Sequence, residues 1–316
     1  MITVAALVVA LGAPTVARAP GGGLHFRVLA DTGIRLTDVA WTGKRLLYVE
    51  NTENTVWSAP PAGKPLTRFA SLPKEVEETR CRVSPGAHGW PAGAIFCHTP
   101  GNAIYRIPAE GGTPTVLARI DDTDVADGAL AFDTVGKFGY ALVAATGRSG
   151  AGQKPGGTVY AIDASGTVKK IGTYDGPGGA DEVEIAPAGF GSAAGAALLA
   201  VDAGKTGRLA AMDASGTVKT VAQLADGPNP IAAIVRSPAR GGKRAGLYLT
   251  DTLSRNAFFA PASDVRAYAG NVIVGSELKG LFWVVRPRGS GFEAKRLTTS
   301  LRAKGYNLEG MTYVSP

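Results

Sequence analysis

Asp38, Glu78, Asp127, Asp181, Asn229 and Glu309 each stand at or beside the start of a short, largely apolar stretch: TDVAW, ETRCRV, DGALAF, DEVEIA, NPIAAI and EGMTYV. If those stretches are equivalent strands meeting around one channel, their carboxylates converge at a narrow mouth. Like charges repel there, and burying them unpaired is costly, so a cation with oxygen ligands is the natural partner. Calcium accepts several carboxylate and amide oxygens in flexible geometry, whereas zinc calls for His or Cys. Asp and Asn at such positions also bond their own backbone in turns, and Asp38 and Glu78 are the two that read most readily as turn or salt-bridge residues. Side chains alternate along a strand, so Glu182 faces opposite to Asp181 and only one of the two lines the channel at that level.

The elements that would position these groups are short strands. DASGTVK occurs at Asp163 and again at Asp213, fifty residues apart, each time between two alternating apolar runs. Each copy is a β-hairpin around an Asp-Ala-Ser-Gly turn. One hairpin buries too little to stand alone, so hairpins repeated at this interval stack as blades. TDVAW, RLLYVEN, TVWSAPP and LTRFASL make a first blade, and TRCRVSP, AIFCHTP, AIYRIPA and TVLARI a second. The third and fourth end in the two DASGTVK copies, and the fifth begins PNPIAAIV, GLYLTDT, NAFFAPA. NVIVGSE, GLFWVVRP, FEAKRLTT and NLEGMTYV remain for the end of the chain. The expected fold is all-β, a six-bladed propeller of four-stranded antiparallel blades, with seven blades as the alternative. A strand from Leu24 closes the ring beside C-terminal strands, removing exposed sheet edges.

At 316 residues and 45% hydrophobic the chain can bury a large core. Residues 1–20 carry an apolar run followed by Ala17-Arg18-Ala19, the pattern of a secretory signal peptide, although no basic residue precedes the run. That run is too short to span a bilayer, as is every other stretch, which leaves 24–316 as a single propeller domain outside the cytoplasm. Cys81 and Cys97 lie about equally far from a turn near Gly89, which sets them opposite one another on a hairpin and allows a disulfide in an oxidising compartment. The formal charge of +7 has its clearest concentration at Arg236–Arg244, with no interleaved aromatics. Nucleic acid is therefore not an expected partner, while anionic ligands remain open. His88 and His98 share one hairpin and are candidate channel bases; His25 lies near the terminus.

The combination of PNPIAAI followed by GLYLTDT, of ADGALAFD and of NLEGMTYV resembles the regucalcin and gluconolactonase family of calcium-dependent six-bladed propellers. The resemblance implies a central divalent cation, Ca2+, held by Glu309, Asn229 and Asp127 or Asp181, with Asp127 or Asp181 as base or nucleophile in hydrolysis of a lactone or phosphotriester. Two departures accompany it: the Glu-Gly pair lies near the C-terminus, and Pro230 follows Asn229 where the family has Gly. The competing reading is a noncatalytic secreted propeller that binds a glycan, peptide or protein. The chain is expected to be a monomer, with a small-molecule or anionic substrate if it is an enzyme.

Overall fold

The computed structural model describes residues 23–316, apart from 75–77, 122–127, 148–155, 177, 203–204, 236–240 and 302–304. The expected signal peptide at 1–20 and Asp127 lie outside the described residues. Six four-stranded antiparallel sheets form a six-bladed propeller, which excludes seven blades. The first strand, β1 (Arg27–Asp31), is followed by blade one: β2 (Leu36–Trp41), β3 (Leu46–Glu50), β4 (Thr55–Ala59) and β5 (Thr67–Ser71). Blade two is β6 (Arg80–Val83), β7 (Ile95–His98), β8 (Ala103–Ile107) and β9 (Thr115–Arg119). Blade three is β10 (Leu130–Phe132), β11 (Leu142–Ala145), β12 (Gly156–Ile162) and β13 (Val168–Asp175). Blade four is β14 (Ala180–Ile185), β15 (Ala197–Asp202), β16 (Gly207–Met212) and β17 (Val218–Leu224).

The last two blades are interleaved. After β18 (Pro228–Ala233), the hairpin β19 (Gly246–Asp251) and β20 (Asn256–Pro261) leaves for the next sheet. A short helix, α1 (Ala262–Val265), then leads the chain back to β21 (Val272–Ser276), β22 (Phe282–Arg288) and β23 (Gly291–Leu297), which complete blade five on β18. Blade six runs from the innermost β24 (Leu308–Val314) through β19 and β20 to β1 at its outer edge. Assigning GLYLTDT and NAFFAPA to the fifth blade is therefore corrected: both belong to the sixth. A second strand of a blade is apolar on both faces wherever it pairs, so local pattern does not choose between adjacent inner strands. The terminal strand does close the ring, but it begins at Arg27 and pairs with β20, while Leu24 makes only an isolated bridge to Thr299.

Burial follows strand position. The inner β2 and β18 are buried along their whole length, whereas the outer β13 and β23 are mostly exposed or half-buried. Among the described residues the core divides into six apolar clusters, one between each pair of neighbouring blades, including Tyr48, Tyr248 and Phe259 between blades six and one. The repeated DASGT turns have a local and a packing role. Asp163 Oδ1 accepts from the amides of Ser165 and Thr167, and Asp213 does the same for Ser215 and Thr217. Gly166 and Gly216, at φ +92° and +86°, then lie against the outer strand of the preceding blade, where a Cβ would meet the Leu117 and Ile171 carbonyl oxygens.

Candidate functional site

The inner strands bring their first residues to one end of the channel, and there the structure places two arginines. Arg80 opens β6 and is completely buried. Its guanidinium donates to the Thr37 carbonyl, to Glu78 Oε2 at 2.6 Å, to Asn229 Oδ1 at 3.1 Å and to Glu309 Oε2 at 3.0 Å. Asn229 Nδ2 donates to the same Glu309 oxygen at 2.7 Å, and Asn307 donates to the other. Two residues along the same strand, and hence on the same face, Arg82 donates to Asp38 Oδ2 at 2.9 Å and to Glu182. Asp38 also accepts from the amides of Cys81, at 2.7 Å, and Val39, at 2.8 Å.

Asn229 and Glu309 are thus brought together as their shared register required. Asp38 and Glu78 make the salt bridges for which they were singled out. Asp181 occupies the bulge where β14 slips against β15 and is half-buried, while Glu182 is the residue that reaches Arg82. Sequence reasoning missed the arginines. The signal was present in Glu78-Thr-Arg-Cys-Arg: Cys81 points toward its partner between blades, so Arg80 and Arg82 on either side must face the channel.

The electrostatics follow from burial. Burial alone would lower the affinity of Arg80 for its proton, yet Glu78, Glu309, Glu182 and Asp38 together hold it well above the ordinary arginine range. Burial pushes the Glu182 carboxyl up to about 8, against the attraction of Arg82, and raises Glu184 for the same reason. Nearer the rim, Glu277 is pushed up to about 8 by burial, by the negative charges of Glu309 and Asp202, and by its hydrogen bond with Asp202. His98 is buried against the Ala129 carbonyl, and burial lowers it to about 4, so it is neutral at physiological pH. His88 is exposed in the β6–β7 loop, stacked on Tyr140 with ring centroids 3.5 Å apart, and His25 pairs with Asp264.

A calcium ion bound as the resemblance implies would need Asn229 Oδ1 and Glu309 Oε2 as ligands. Both oxygens already accept from Arg80, and a guanidinium and a dication cannot share them at contact distance. Among the described residues, no group of three or more His, Cys, Asp and Glu side chains is disposed to hold a metal. The donor set as it stands does not fit the ion. The Glu-Gly pair has another explanation: a Cβ on Gly310 would land on the Asp38 backbone, so glycine is what lets β24 close against β2. Cys81 and Cys97 pair directly across β6 and β7 and form the expected disulfide, completely buried.

No protein-family model matches the sequence, and no curated protein matches it. Solved propellers resemble it in fold. One from a nidogen/laminin complex has a TM-score of 0.55 at 11% identity, covering 88% of this chain and 84% of that one. The PQQ-bound aldose sugar dehydrogenase of Streptomyces coelicolor has a TM-score of 0.54 at 16% identity, covering 89% of each chain. A putative gluconolactonase also appears, at a TM-score of 0.45 and 12% identity, covering 90% of this chain and 81% of that one. The first two thus include an enzyme and a propeller from a protein–protein complex, and at these identities the likeness concerns architecture alone.

Proposed function

We propose that this chain is an extracytoplasmic, noncatalytic propeller that binds a glycan, peptide or protein, with its channel mouth closed by internal ion pairs. The observation that carries this reading is Arg80, whose guanidinium occupies the position where a catalytic cation would meet Asn229 and Glu309. Convergent carboxylates are then answered by the protein's own cations, and among the described residues no donor set is left to hold a metal that would polarise a carbonyl or phosphoryl oxygen. The buried disulfide supports an oxidising compartment. A metal-dependent lactonase or phosphotriesterase would require Arg80 to swing away and leave a fully buried position.

Elemental analysis and calorimetry of the purified protein test the reading together. The expected outcome is no stoichiometric divalent metal, a melting temperature indifferent to calcium and to chelator, and no calcium-dependent hydrolysis of lactones or phosphotriesters. A copurifying divalent ion whose removal lowers the melting temperature, accompanied by hydrolysis that Glu309→Gln abolishes, would overturn it in favour of the hydrolase.

A further inference from the structure

The interleaving of blades five and six leaves its mark on the end of the propeller opposite the channel mouth. Two connections cross between the blades there, one from β18 to β19 and one from β20 to β21. Backbone hydrogen bonds tie them together: the Ala262 amide donates to the Ala245 carbonyl at 3.0 Å, and the Ile234 amide to the Asn271 carbonyl at 2.9 Å. The first connection carries Lys243 and Arg244 and the second Arg266, all exposed. Beside them the β22–β23 hairpin runs out to Arg286 and Arg288, exposed as well. Strand alternation puts both on the face of Val284, which packs in the core between blades five and six. They therefore turn toward the second connection, whose Val265 enters the same core. Acids are few here. Asp264 is bonded to the amide and ring of His25, and Glu293 bridges Arg286, at 2.7 Å, and Arg288, at 3.2 Å. No described acid pairs with Lys243, Arg244 or Arg266.

A charge on an outer strand discourages edge pairing, and that role suffices for Lys295 on β23. It does not extend to the others: Lys243, Arg244 and Arg266 stand in connections with no strand edge to guard, and β22 is paired on both sides. Gathering like charges on one surface also costs self-repulsion that a mixed surface avoids. We propose that this end of blades five and six is a docking surface for an anionic polysaccharide, gripped by its carboxylate or sulfate groups. Arginine predominates over lysine there, and a guanidinium presents two parallel N–H groups to such an oxygen pair. Other polyanions fit less well. A single-stranded nucleic acid stacks its bases on aromatic platforms, and the exposed aromatic among the described residues, Tyr140, lies on blade three. A lipid surface takes aromatic or long aliphatic anchors, whereas the hairpin tip is Gly289-Ser290. The inference rests on the binding-propeller reading and names its ligand class, at a surface distinct from the channel.

Titration calorimetry of the full-length protein at low ionic strength tests this with dextran sulfate, polygalacturonate, uncharged dextran and single-stranded oligothymidylate, and cosedimentation does so with phosphatidylglycerol vesicles. A charged polysaccharide should bind saturably, the tighter of the two identifying sulfate or carboxylate, and uncharged dextran should not bind. Raising salt from about 50 to about 200 mM should weaken the complex at least tenfold. The paired substitutions Arg286→Gln with Arg288→Gln, and Arg244→Gln with Arg266→Gln, should each weaken it at least tenfold as well. Lys169→Gln with Lys170→Gln removes the same charge from the exposed outer strand of blade three and should leave binding within twofold. Absence of saturable binding by either charged polysaccharide would overturn the proposal, as would tighter binding of the oligonucleotide or the vesicles. Equal losses in all three paired variants would do so too, since they would reduce the effect to net charge. Circular dichroism of each variant separates these outcomes from misfolding. Failure here leaves the binding-propeller reading standing, because that reading falls only to a copurifying divalent ion with calcium-dependent hydrolysis.

Discussion

Replacing Arg80 with methionine removes the charge from the channel mouth while keeping most of the volume. Glu309 is only 1% exposed, so the substitution leaves a buried carboxylate without its cation, a change that costs about 3–5 kcal/mol. Asn229 and Asn307 still donate to it, which places the loss near the lower end, about 3 kcal/mol. At roughly 2 °C per kcal/mol for a large domain, the melting temperature should fall by about 6 °C at pH 8. Adding Glu309→Gln should recover most of the loss, because removing both members of a buried pair costs far less than removing one. Arg80→Met should also acquire a calcium response that wild type is expected to lack, since it frees Asn229 Oδ1 and Glu309 Oε2. Differential scanning calorimetry at pH 8, with and without calcium, provides the readout. An Arg80→Met protein as stable as wild type at pH 8, or one that Glu309→Gln destabilises further, would refute the account of the channel as an internally neutralised site.

Glu277 contributes stability that is complete below the unfolded carboxyl range and is lost as pH rises from there through about 8; thermal melts should therefore decline from about pH 5 to about pH 8 and level off above it, and Glu277→Gln should flatten the decline. The global charge works in the opposite direction, since self-repulsion eases as pH approaches the pI of 9.4, so a falling curve reports the buried carboxyls, Glu182 and Glu184 among them, and the difference made by Glu277→Gln isolates Glu277. The paired substitution Cys81→Ala and Cys97→Ala should cost about 3 kcal/mol in the loop-entropy account, read as a lower urea midpoint, and an unchanged midpoint would remove the disulfide as a stabilising element. Gly216→Ala combines a positive φ with a Cβ placed 2.6 Å from the Ile171 carbonyl oxygen and should destabilise by about 1–3 kcal/mol, more than Gly33→Ala, whose φ is also positive but whose Cβ meets nothing within 4 Å. Equal effects at the two glycines would show that the turn does not lean on the preceding blade.

The propeller was legible because its signals are local and repeated. Each hairpin shows its own alternation, and DASGTVK marks two equivalent turns whose hydrogen bonds match atom for atom. The channel register was legible as well: Asn229 and Glu309, eighty residues apart, meet within hydrogen-bonding distance. Arg80 was overlooked because a basic residue near a strand start reads as solvated, and only the ring geometry turns it inward among acids on three other blades. The exchange of β19–β20 was not legible for a different reason. Gly246–Asp251 is buried throughout, and a strand apolar on both faces pairs as well with β18 as with β24 until the segment after Ala262 has to be accommodated. His98 shows the limit of reading chemistry from residue type, since burial leaves it neutral.

Blade six draws its strands from Arg27–Asp31, Gly246–Pro261 and Leu308–Val314, which gives it a distinctive place in the life of a nascent chain. Blades one to four are each continuous in sequence and can form as soon as their own residues are available. The sixth needs both the first and the last strand of the propeller, and joining β1 to β20 and β19 to β24 requires closing loops of very different lengths, the long one slow to search. Until β24 is available, β19 and β20 are a hairpin without an inner neighbour, and the buried faces of β2 and β18 lack the strand that will lie between them. Ring closure is then a single late event, and removal of the last nine residues would leave two open interfaces, on blades five and one, exposed to pairing with other chains.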